Sequence, residues 1–188
     1  MTNPDQAPRA DAERNRRQLL DAATAVLRDN PGASMDEIAQ GAQLTRVTLY
    51  RHFGGRKKLL DAIRDEALAE AAAAVQSARL DEGTSVEALT RFVSAATSRG
   101  DRFQFLLTGS ADLPPDFLRR RGEALAPLLN VISRGRAAGE IRADLPAEWV
   151  TSALISLLTT AVGRPGPAAE ESAELVVTTL LRGVAAAD

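Results

Sequence analysis

A chain of 188 residues with 45% hydrophobic side chains is long enough for one large or two small domains with a packed core. It has no cysteine and one histidine. Disulfides, thiolate metal sites, cysteine nucleophiles and multi-histidine metal centres are therefore excluded, and no cofactor is expected. The net charge of -2 hides an imbalance: residues 1–58 carry 10 Arg/Lys against 7 Asp/Glu, and residues 59–188 carry 13 against 18. A basic head on an acidic body points to a polyanion partner for the head alone.

The first 13 residues are polar, lack the apolar centre of a signal peptide and read as a flexible tail. Aromatic residues are 4% of the chain and β-branched runs at period 2 are lacking, so all of it reads as helix and turn. The expected class is all-α. A first helix from about Ala10 to Asp29 carries Leu19, Ala23, Val26 and Leu27 on one stripe and stops at Asn30-Pro31-Gly32. Ser34 caps a short helix whose Glu37 completes a capping box and whose Ile38 and Ala39 form the apolar face. Gly41 to Leu44 makes a turn, Thr45 caps a second short helix from Arg46 to His52, and Gly54-Gly55 ends it.

A long helix follows from Arg56 to about Leu80, with Leu60, Ile63 and Ala67 along one side. Beyond the break at Asp81 to Thr84, Val86, Leu89, Val93 and Ala96 keep helical spacing. A short apolar helix from Arg102 to Thr108 leads to a turn at Gly109 to Pro115, and a long helix runs from Asp116 to Ala138. Pro127 inside it should kink or divide it. Pro146 starts a helix to about Val162, Arg164-Pro165-Gly166-Pro167 stops it, and Ala168 to Ala185 forms the last helix. The longest apolar stretch, Trp149 to Gly163, is short of the roughly 20 residues a membrane span needs, so a cytoplasmic protein is expected.

Helix, four-residue turn and short helix, with Ser34 and Thr45 at the caps, is the arithmetic of a helix-turn-helix. At 100° per residue Leu49 and Phe53 share the inner side, and Val47, Thr48, Tyr50 and Arg51 project away from it. Arginine can pair with guanine, valine can touch a thymine methyl, and hydroxyls reach phosphates or bases. On chemistry alone, DNA binding and an ordinary solvated helical surface stand equal.

The stretch SMDEIAQGAQLTRVTLYRHFGGRKKLL resembles the DNA-binding signature of the TetR family of bacterial repressors. The match lies in Ile38-Ala39, Ala42, Leu44-Thr45, Thr48-Leu49-Tyr50, His52-Phe53, Arg56 and Leu59-Leu60, without a gap, and Arg16 to Leu27 resembles the family's first helix. The resemblance covers about residues 14 to 64. It implies a DNA-binding domain over residues 14–58 and a helical ligand-binding and dimerisation domain over 59–188. It also implies roles. Arg46, Val47 and Thr48 meet base edges, with Arg51 on the same exposed face. Tyr50 and His52 hold phosphates, Thr45 caps and touches phosphate, and Arg56 or Lys57 clamps a phosphate at a helix start. Ser34, and Arg16 or Arg17, add backbone contacts. Two positions depart from the family pattern. Gln43 stands at the usual turn glycine, at a cost of about 1 kcal/mol if the site is left-handed. Val47 stands where many members have a small residue.

No phosphate loop, nucleophile elbow or metal motif follows residue 64, so an enzyme is not expected. The resemblance implies that the body binds a small molecule and dimerises through its last two helices. Val150, Leu154, Leu157, Leu158 and Ala161 form an apolar stripe, which Leu175, Val176, Leu180, Leu181 and Val184 of the final helix can meet. A second subunit's equivalent pair would complete a four-helix bundle, and a central helix buried within one chain accounts for the same pattern. Phe92, Phe103, Phe105, Phe117 and Trp149, with Leu125, Leu128, Leu129 and Ile132 around Pro127, are the apolar candidates for an effector pocket. An apolar or aromatic, weakly charged effector fits them best. The expectation is a ligand-responsive repressor that reads a palindromic DNA operator as a homodimer. The rival is a helical ligand- or partner-binding protein whose head no longer reads specific DNA, with Gln43 and Val47 as its support.

Overall fold

The computed structural model describes residues 6–99, 113–162 and 169–184, with side chains from residue 13 to 183 within those spans. Among the described residues there are helices and turns and no β-strand: α1 Gln6–Asp29, α2 Met35–Gly41, α3 Arg46–Phe53, α4 Arg56–Ser77, α5 Ser85–Thr97, α6 Pro115–Ala137, α7 Ala147–Val162 and α8 Ala169–Val184. The chain divides into two compact units, residues 1–65 and 66–188.

In the first unit, Leu19, Leu20, Ala23 and Leu27 of α1 are buried, as are Ile38 and Ala39 of α2, Leu49 and Phe53 of α3, and Leu59, Ala62 and Ile63 of α4. Helix α1 begins at Gln6, four residues ahead of the expected Ala10. Pro8 permits this because a first-turn residue needs no intrahelical N–H donor. Helices α1 and α2 meet closely at Gly41, where an added Cβ would lie 2.8 Å from a Val26 methyl. Gly54 ends α3 at φ 68, a left-handed backbone that glycine adopts without steric cost.

In the second unit, α5 has one of its faces wholly buried, with Leu89, Phe92, Val93 and Ala96 inside, and it packs on α6, α7 and α8. A capping box opens it: Thr84 N–H donates to Glu87 Oε2 at 2.9 Å, and Glu87 N–H donates to Thr84 Oγ1 at 3.1 Å. Helix α4 stops at Ser77, before the expected Leu80, because Arg79 takes a left-handed backbone at φ 43. Arg91 secures that turn by donating to the carbonyls of Ala78 at 2.7 Å, Arg79 at 2.9 Å and Glu82 at 2.6 Å. Helix α6 runs through Pro127 without dividing; only one intrahelical donor is lost there. The expected helix at Arg102 to Thr108 lies outside the described residues.

Candidate nucleic-acid interface

Helix α2 is anchored by its box: Ser34 N–H donates to Glu37 Oε2 at 2.7 Å, and Ser34 Oγ accepts from Glu37 N–H at 3.3 Å. The Ser34 backbone and hydroxyl hold the Glu37 carboxyl below the usual carboxylate range. Because the hydroxyl oxygen is used as an acceptor, its own proton is available to an outside acceptor such as a phosphate. The turn after α2 is a Schellman motif, with Leu44 N–H on the Ala39 carbonyl at 2.8 Å and Gln43 N–H on the Gln40 carbonyl at 3.1 Å. Its left-handed residue is Gln43, at φ 57, so the strain raised by the missing glycine is present.

Helix α3 starts at Thr45, whose Oγ1 accepts from Thr48 N–H at 3.1 Å and shares a hydrogen with Thr48 Oγ1 at 2.8 Å. Leu49 and Phe53 turn inward. Arg46 and Arg51 are exposed, Val47 is 75% exposed and Tyr50 38%, while Thr48 and His52 are half-buried. The His52 ring lies 6.2 Å from that of Phe53, at the edge of the core. The outer face of α3 thus combines an apolar side chain, Val47, with the guanidinium groups of Arg46 and Arg51 and the Tyr50 ring. Arg16 stacks over the Phe53 ring at 5.6 Å, on the edge of the same core.

Of the two clamp candidates, Arg56 has two of its donors engaged within the chain. Its Nε donates to the Ala33 carbonyl at 2.9 Å and its Nη2 to the Pro31 carbonyl at 2.7 Å, tying the turn before α2 to the start of α4. The fork geometry of guanidinium suits two nearby carbonyls, one met in a partly buried bond and one in an exposed bond. Lys57 is left for the outer surface: its side chain is 92% exposed, with Asp61 at 3.3 Å. Lys58, not among the expected contacts, is exposed at the same helix start.

Residues 19–63 match the sequence profile described as bacterial regulatory proteins, tetR family. The HTH-type transcriptional repressor LfrR of Mycolicibacterium smegmatis is 28% identical over 190 residues, covering 98% of this chain and 97% of its own. Residues 19–63 are thus a DNA-binding domain of the TetR type. Another relative, the HTH-type transcriptional regulator NfxB of Pseudomonas aeruginosa, is 27% identical over 147 residues, covering 75% of this chain and 77% of its own. Among solved structures, LfrR in complex with proflavine superposes at a TM-score of 0.72 with 25% identity, covering 94% of this chain and 99% of that one. The TetR-family regulator PfmR from Thermus thermophilus does so at 0.69 with 27% identity, covering 87% and 94%. The chain is thus a transcriptional regulator with an N-terminal helix-turn-helix and a helical C-terminal domain, not an enzyme.

The body candidates separate. Phe92, Leu128 and Ile132 are fully buried and Phe117 and Leu125 nearly so, within the core of the second unit. Leu125 and half-buried Leu129 border an open groove of about 750 Å³ between α6 and α7, with Arg121, Thr151, Ile155 and Thr159 also on its walls. Trp149 is 65% exposed and lies outside that core. Val150 takes the inward position of the first turn of α7, and one residue earlier is a rotation of about 100°. Phe103 and Phe105 lie outside the described residues.

The dimer candidates need a similar correction. Val150, Leu154 and Leu158 have no exposed surface and Val176 and Leu180 almost none; they fill the core of their own chain. The apolar stripe marks the face of α7 that is buried, and α5, α6 and α8 already bury it. Leu157, Ala161 and Leu181 are half-buried, Leu175 is 53% exposed, and the Val184 side chain lies outside those described. Among the described residues no helix is long and apolar enough to cross a membrane. Nor does any group of three or more His, Asp or Glu there suit a metal ion.

Proposed function

We propose that this regulator is a repressor that binds a palindromic operator as a homodimer and is released by a small apolar or aromatic effector. The observation that carries the reading is the outer face of α3, where Arg46, Val47, Tyr50 and Arg51 stand exposed on a helix capped at both ends. Arg46 and Val47 read base edges with Thr48. Tyr50, His52, Lys57 and the Ser34 and Thr45 hydroxyls contact the phosphate backbone. In this reading residues 14–58 recognise DNA, and residues 59–188 bind effector and dimerise. Operation in the cytoplasm follows from the DNA target.

Dimerisation is assigned to the outer faces of α7 and α8, through Trp149, Ser156, Leu157 and Thr160 together with Leu175 and Thr179, because the inner stripe is occupied. An aromatic effector is supported by the relative LfrR, whose structure holds proflavine, and an apolar one by Leu125, Leu129 and Ile155 on the walls of the groove between α6 and α7. Release requires an effector that binds one arrangement of the two heads more tightly than the other. The test is selection of bound duplexes from a random library, followed by titration with salt and with candidate effectors. A recovered palindrome, a steep loss of affinity with salt and release by an aromatic compound are the expected results. Recovery of unselected sequences by the folded dimer would overturn the reading.

A further inference from the structure

We infer that Asp36 is a positioning residue for base readout, holding Arg46 in the orientation from which it reads guanine. The inference rests on the reading of α3 as the DNA-contacting helix. Asp36 is the second residue of α2, beside Glu37, and it takes no part in the capping box that engages Glu37. Its Oδ2 instead accepts from Arg46 Nη1 at 3.0 Å, across the turn and ten residues along the chain. The same guanidinium lies over the Tyr50 ring, with Cζ 5.3 Å from the centroid. Both charged side chains remain open to solvent, Arg46 at 64% and Asp36 at 60% exposure. Arg46 is therefore gripped on an edge and on a face while keeping donors free toward the outside.

That arrangement decides between two fates of an arginine beside DNA. A free guanidinium on a flexible stem is drawn to the nearest phosphate, a contact that carries no sequence information. A guanidinium held as a planar fork can address the N7 and O6 of guanine together. A carboxylate at the reading face also repels phosphates, so Asp36 lowers non-specific affinity while it pre-sets Arg46. Two observations thus have one explanation: a carboxylate of α2 turned to α3 rather than to its own helix start, and an arginine contacted by both that carboxylate and the Tyr50 ring.

Magnitudes separate the two residues. Loss of a bidentate guanine contact reduces discrimination about tenfold or more. Loss of an exposed ion pair that only biases the arginine reduces it by roughly 1.5-fold to fivefold.

The experiment compares wild type, Asp36→Ala, Arg46→Ala and the double variant, by duplex selection and then competition binding against single-base operator variants. Arg46→Ala is expected to lose preference for guanine at one position of each half-site. Asp36→Ala should lose part of the preference at that same position while its affinity for random duplex holds or rises. The double variant should lose no more than Arg46→Ala alone. If Asp36 merely supported α2, affinity would fall alike for all sequences and add to the Arg46 effect, which overturns the proposal; so does unchanged discrimination in Asp36→Ala. Asp36→Asn, neutral and of equal size, answers the question if the alanine variant does not fold. Failure of the wild type to select any motif refutes the DNA reading itself, a distinct result from a motif that is indifferent to Asp36.

Discussion

Replacing Arg56 by alanine distinguishes a structural arginine from a phosphate clamp, because the two roles differ in size and in observable. The guanidinium makes one partly buried bond, to the Ala33 carbonyl, and one exposed bond, to the Pro31 carbonyl. Charge-assisted bonds of this kind contribute about 1.5–3 kcal/mol when sheltered and less when exposed. Arg56→Ala should therefore cost the first unit about 2 kcal/mol, and Arg56→Lys should recover little of it, since an ammonium cannot address both carbonyls as a planar fork. Urea denaturation followed by far-UV circular dichroism measures that cost. DNA binding supplies the second axis. Each phosphate contact adds about 0.9 to the slope of log affinity against log salt, or about 1.8 for the two heads of a dimer. With the variant still folded at low temperature, the Arg56→Ala slope should equal the wild type's. Lys57→Ala should reduce the slope by about 1.8 and leave stability within about 0.5 kcal/mol. A reduced slope with unchanged stability in Arg56→Ala would refute the structural assignment.

Further expectations follow from the same packing. Gln43→Gly relieves a left-handed strain of about 1–2 kcal/mol against an unfolded-state entropy cost of about 0.4–1 kcal/mol, for a net gain of about 0.5–1 kcal/mol in stability, read from the urea midpoint. Gln43→Ala keeps the strain and should show no gain. Leu158→Ala empties a fully buried site and should cost about 2–5 kcal/mol of folding stability. Leu175→Glu, on an exposed position, should instead shift the dimer toward monomer in analytical ultracentrifugation with helicity retained; an intact dimer would remove α8 from the interface. Glu37 and Glu87 are held below the usual carboxylate range by their capping bonds to Ser34 and Thr84. Their contribution is fully present above the ordinary carboxylate pKa and is lost as pH falls through the lowered value. The Glu37→Gln, Glu87→Gln double variant, which can still accept in both boxes, should therefore show a flatter fall in urea midpoint on acidification than wild type.

Local chemistry determined the head from sequence alone. The Ser34-Glu37 box, the Thr45 cap and the Gly54 stop are set by residues within four positions of each other, and Leu49 and Phe53 define the inner side of α3 by spacing. The exposed outer face of α3 follows from them without knowledge of the rest of the chain. What only the tertiary structure decided concerns which neighbour a side chain meets. Arg56 and Lys57 are adjacent cations at one helix start, yet the carbonyls of Pro31 and Ala33 claim the first and leave the second outside. Asp36 and Arg46 are ten residues apart, and only the turn between α2 and α3 joins them. The apolar stripe of α7 showed that Val150, Leu154 and Leu158 are buried, but periodicity is blind to whether the covering surface belongs to the same chain or to a second copy. Hydrophobic pattern reports loss of contact with water; the three-dimensional path of the chain decides what replaces it.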